Sequence, residues 1–88
     1  MDKYIFLHVK SRFVRTILLK SIAKAGIGVM EIMDPDDLAI KLDGYGDFIV
    51  LFITEILDEN DPVLSDVVES IRNRYPSVPV LALVYKDS

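Results

Sequence analysis

The residues able to do chemistry are few and scattered. The single histidine, His8, stands inside the apolar run Tyr4 to Val9 with no carboxylate beside it in sequence, the setting of a buried neutral imidazole rather than of a catalytic base. Asp58, Glu59 and Asp61 crowd together as a cation loop would, but they lack the oxygen-ligand spacing and turn glycine of a calcium loop. A solvated loop followed by a helix cap accounts for them. Lys10, Ser11 and Arg12 could hold an anion at a helix start, yet the turn Val9 to Phe13 has none of the glycines that let backbone amides face a phosphate. Phe52 and Tyr85 belong to apolar strands and serve a core better than a stacking platform. Cysteine is absent, which removes thiolate nucleophiles, disulfides and cysteine-based zinc sites together. With no hydrolase elbow or phosphate loop either, the expectation is a protein without enzymatic activity, metal or cofactor.

The chain has 88 residues, 51% of them hydrophobic and 27% charged, enough for one domain spanning 1–88 and too few for two. A domain of this size buries only about 60–65% of the surface its unfolded chain exposes, so each exposed apolar face matters. The net charge of -4 argues against nucleic acid as a partner. Its distribution is uneven. Residues 1–24 hold six bases (Lys3, Lys10, Arg12, Arg15, Lys20, Lys24) against Asp2, whereas residues 25–69 hold twelve acids against Lys41 alone. A molecule so polarised can steer a partner or align copies of itself. The start Met1-Asp2-Lys3 lacks a secretory leader pattern, and the longest apolar run, Phe48 to Ile53, is far below the roughly 20 residues of a membrane span. A cytoplasmic protein with no membrane partner is expected.

Four strands and three helices must position these groups. Tyr4 to Val9 has the pattern of a strand buried on both faces. From Ser11 the period turns helical, with Val14, Leu18, Ile22 and Ala25 on one side, Ser11 as cap and Gly26 as stop. A short strand over Val29 to Met33 follows. Asp34-Pro35 opens a second helix carrying Leu38 and Leu42, closed by Gly44-Tyr45-Gly46. Asp47 to Ile53, the most apolar segment, is the innermost strand. Asp61-Pro62 repeats the cap-and-proline start for a third helix striped by Leu64, Val67, Val68, Ile71 and Tyr75. Pro76 stops it, and Val78 to Val84 forms the last strand. The order β-α-β-α-β-α-β, with short connections, predicts an α/β fold with a parallel sheet between helical layers.

Three stretches resemble the receiver domain of two-component response regulators: Ser11 to Arg15 with Ala25-Gly26, Asp47 to Leu51, and Ile71 to Leu83 with its Arg-Tyr-Pro-Ser-Val-Pro-Val core. The resemblance implies a flavodoxin-like, three-layer doubly wound sheet of order 2-1-3-4, truncated by the last helix, strand and helix. Receiver chemistry needs an aspartate at the carboxyl end of the third strand as phosphoacceptor and an acidic pair after the first strand to hold magnesium. Aligned on this sequence, the acceptor position falls at Phe52, the acidic pair at Val9 and Lys10, and the switch hydroxyl at Val84. None can do that work. Lys10 paired with an acid such as Glu55 would instead mimic one signalling state.

The resemblance therefore implies a pseudo-receiver, a regulatory module that acts without phosphorylation. Lys10, Arg12, Phe13, Arg15, Thr16 and Leu19 are its expected contacts with another signalling protein. The bared last strand, with Val78, Val80, Leu81, Leu83, Val84 and Tyr85, is the expected edge of a homodimer. A second resemblance competes. Tyr45 to Glu55 is similar to a strand of the small F subunit of archaeal-type rotary ATPases, which implies a structural subunit of a larger machine.

Overall fold

The computed structural model describes residues 3–57 and 60–84. Strand β1 (Tyr4–His8) leads through helix α1 (Arg12–Lys24) to β2 (Gly28–Glu31), through α2 (Pro35–Tyr45) and a short 3₁₀ turn (Gly46–Phe48) to β3 (Ile49–Glu55), and through α3 (Pro62–Arg74) to β4 (Val80–Leu83). All pairings are parallel and the sheet order is β2-β1-β3-β4, the expected doubly wound arrangement.

Local chemistry sets the helix ends. The Ser11 hydroxyl accepts from the Val14 amide to start α1, and Gly26, at φ 74°, supplies the left-handed residue just past its end. Asp34 caps α2 by accepting from Asp37 N–H at 2.8 Å, while Asp37 reaches back to the Met33 amide at 2.9 Å and to Lys41 Nζ at 3.0 Å. Burial opposes ionisation of Asp37, but these bonds together hold its carboxyl below the ordinary aspartate value.

Two cores lie on the two faces of the sheet. Ile5, Leu7, Val9 and Ile53 pack with Ile22 of α1 on one side. Phe6, Ile49 and Phe52 pack with Leu38 and Leu42 of α2 and Ile71 of α3 on the other. The Phe6 and Phe52 rings meet edge to face at 6.0 Å.

The third strand departs from expectation. It runs 49–55 rather than 47–53, because Gly46 to Phe48 extend α2 as a 3₁₀ turn instead of beginning the strand. Gly46 is buried, and an added Cβ there would collide with the Tyr75 hydroxyl, so the turn packs where a side chain could not. The register then slips by one residue at Val50, a bulge that puts Phe52 and Thr54 on the α2–α3 side and Leu51, Ile53 and Glu55 on the α1 side. Smaller differences occur elsewhere. The last strand is four residues long, Val68 of the expected α3 stripe is exposed, and Ala25 is exposed at the end of α1.

Phe52 is completely buried, so Phe52→Ala should destabilise the domain by about 3–5 kcal/mol in urea titration. Phe52→Asp should fail to fold rather than yield a phosphoacceptor, since it would bury an unpaired charge.

Candidate functional site

The polar groups converge at the carboxyl ends of β1 and β3. These neighbours straddle the point where the sheet's connections diverge, the position at which doubly wound folds bind ligands. The register sets His8 opposite Thr54, which leaves Glu55 at the end of β3, three residues beyond Phe52. A carboxylate therefore stands at the carboxyl end of β3, three residues beyond the Phe52 position that the receiver resemblance marks. It is a glutamate, only 3% exposed.

Glu55 is engaged by the chain itself. Its Oε1 accepts from the backbone amides of Lys10 and Ser11, both at 3.0 Å. These amides lie at the entry to α1, where helix geometry leaves donors unsatisfied and the dipole is positive. The side chain thus occupies the seat that an external anion would take at this helix start.

On the other face of the sheet, the His8 Nδ1 lies 3.0 Å from the Thr54 hydroxyl and its Nε2 lies 3.6 Å from Asp61 Oδ2. Nε2 has no hydrogen-bond partner among the described residues. The nearby carboxylate favours the tautomer with the proton on Nε2, in which Thr54 donates to Nδ1. Asp61 also receives Lys10 Nζ at 2.9 Å. Burial pushes the His8 imidazole below its ordinary pKa, with Asp61 opposing, Lys10 reinforcing and Glu55 opposing. The ring is neutral at physiological pH, as its apolar sequence setting implied.

Hydroxyl, imidazole and carboxylate stand here in the order of a nucleophilic triad. Thr54 is completely buried, however, and no substrate reaches its oxygen. Among the described residues no three ligand-type side chains converge as a metal would require. Asp58 and Glu59 of the acidic loop lie outside the described residues.

The other sequence-derived positions are dispersed. Val9 is buried in the α1-side core, Lys10 is exposed with its ammonium on Asp61, and Val84 is exposed just past β4. Lys10 and Glu55 do meet, but through the Lys10 amide, while the ammonium goes to Asp61. Of the expected partner contacts, Arg12, Phe13 and Thr16 are exposed on α1, and Arg15 reaches Glu31 at 3.5 Å. Leu19 is turned against the α1-side core, and Ile17 stands exposed instead. Along the expected dimer edge Val80, Leu81 and Val84 are exposed, Val78 and Leu83 are half-buried, and Tyr85 lies outside the described residues. No helix among the described residues is long and apolar enough to cross a membrane.

No protein-family model matches the chain, and no curated protein matches it. The described residues form an α/β fold with the flavodoxin-like parallel strand order β2-β1-β3-β4.

A pH dependence follows from His8. Its folded pKa lies below the unfolded value of about 6.5, so the unfolded chain binds more protons as the medium acidifies. The stability His8 confers is complete above that value and is lost as pH falls toward the folded pKa. The melting temperature should therefore drop between about pH 7.5 and about pH 5.5, and His8→Gln should flatten that drop. An unchanged slope in the variant would remove His8 from this role.

Proposed function

We propose that the chain is a receiver-like module that regulates by docking to proteins, without aspartyl phosphorylation and without catalysis. The observation that carries this reading is that the polar groups at the carboxyl ends of β1 and β3 are engaged by the protein's own groups. The one carboxylate at the end of β3 is bonded to the entry of α1, and the positions of the magnesium-binding pair hold Val9 and Lys10. A divalent ion would meet a cation and an aliphatic side chain there, and a phosphoryl donor would meet a carboxylate buried to 3% exposure.

The exposed chemistry supports docking. Phe13 and Ile17 on α1 and Leu81 and Val84 near the sheet edge are apolar groups that a solitary soluble domain gains nothing by presenting. Alongside the edge, Val68, Ile71, Tyr75, Val78 and Val80 line an apolar groove between α3 and β4. In this reading β4 is the pairing edge of a homodimer, α1 engages another signalling protein, and the module works in the cytoplasm.

Incubation with acetyl phosphate and magnesium tests the proposal. Intact-protein mass should remain unchanged, whereas an acid-stable or acyl-type phosphoryl adduct would overturn it.

A further inference from the structure

Two helices on opposite faces of the sheet carry exposed apolar side chains framed by opposite charge. On α1, Phe13 and Ile17 stand one turn apart, 74% and 49% exposed, and share a shallow groove with Arg12, Thr16 and Lys20. The helix holds four bases and no acid along Arg12–Lys24. On α2, Ile40 is 70% exposed, one turn after Asp36 and one turn before Asp43. Both acids are exposed, although Asp43 is shared with Arg74 at 3.3 Å.

These two patches match in span as well as sign. Arg12 and Lys20 are separated by about 12 Å of helix rise, and Asp36 and Asp43 by about 10 Å. A two-fold pair built on α1 would set Arg12 and Lys20 against the same bases of the second copy, which like-charge repulsion opposes. Setting α1 of one copy on α2 of another brings each base to an acid and buries Phe13 and Ile17 against Ile40. The occupant that complements the α1 face is thus present in the protein's own surface.

We propose that the protein associates with itself head to tail, the α1 face of one copy docking on the α2 face of the next. This rests on the docking reading of α1, and it names a second copy of the chain, in place of a different signalling protein, as the partner there. Because the two faces lie on opposite sides of the sheet, the contact is heterologous: a pair leaves a free α1 on one copy and a free α2 on the other, and further copies can add. A contact of two helix faces falls at the small end of specific interfaces, and association should be weak, concentration-dependent and sensitive to salt.

Sedimentation velocity on the whole chain, Phe13→Asp, Ile40→Asp and their equimolar mixture tests this, with circular dichroism confirming that both variants fold. The substituted side chains are exposed, so folding should be retained. At about 50 mM salt the unmodified protein and the mixture should form larger species than either variant alone, and at about 500 mM salt that difference should disappear. Each variant alone should stop at a dimer if β4 pairs and at a monomer if it does not, which separates failure of the β4 edge from failure of this contact. Lys20→Glu should likewise lose association and regain it when mixed with Asp36→Lys. Variants that sediment like the unmodified protein, or a mixture no larger than its components, would overturn the proposal.

Discussion

A buried carboxylate must find hydrogen-bond donors or give up its charge, and that requirement at Glu55 ties the two halves of this fold together. Glu55 ends the third strand on the α1 side of the sheet, and the donors it meets are the amides of Lys10 and Ser11. The residues joined are 45 and 44 positions apart in the chain. One side chain therefore satisfies two unpaired groups of a helix entry and fixes where α1 leaves the sheet. The placement of Phe13 and Ile17 on the outer face of α1 depends on that fixed exit.

The same economy explains the character of the pocket. In a doubly wound fold the carboxyl ends of the strands offer positive helix entries and room for a ligand. Here the charged groups described at that end have counterparts within the protein: among the described residues, Glu55 has the amides, Lys10 has Asp61, and Asp61 also lies beside the His8 ring. The pocket's electrostatics are largely satisfied from within. The outer surface is polarised, with helix α1 basic and the exposed side of α2 acidic.

Much of the architecture was legible in the residues. Asp34-Pro35 and Asp61-Pro62 mark helix starts through a side-chain acceptor and a fixed φ, and the unbroken apolar runs mark strands covered on both faces. The parallel order with β1 and β3 inside follows from short crossovers. The limits of β3 did not follow, because apolar Phe48 is as good a strand residue as Ile49. What displaces the strand is the burial of Gly46 under Tyr75, a contact between segments 29 residues apart. The bulge at Val50 compounds this, since no alternation pattern announces it. The strand's carboxyl end therefore falls at Glu55, three residues beyond Phe52. His8 was legible as a buried neutral ring, whereas its approach to Thr54 and Asp61 depends on tertiary register alone.

Amide hydrogen exchange at Lys10 and Ser11, compared between the unmodified protein and Glu55→Ala, probes the central interaction directly. If Glu55 anchors the entry of α1, both amides are protected in the unmodified protein and exchange about tenfold faster or more in the variant, beyond any change shared by Phe6 in the middle of β1. Equal protection of Lys10 and Ser11 in the two proteins, relative to Phe6, would contradict the account.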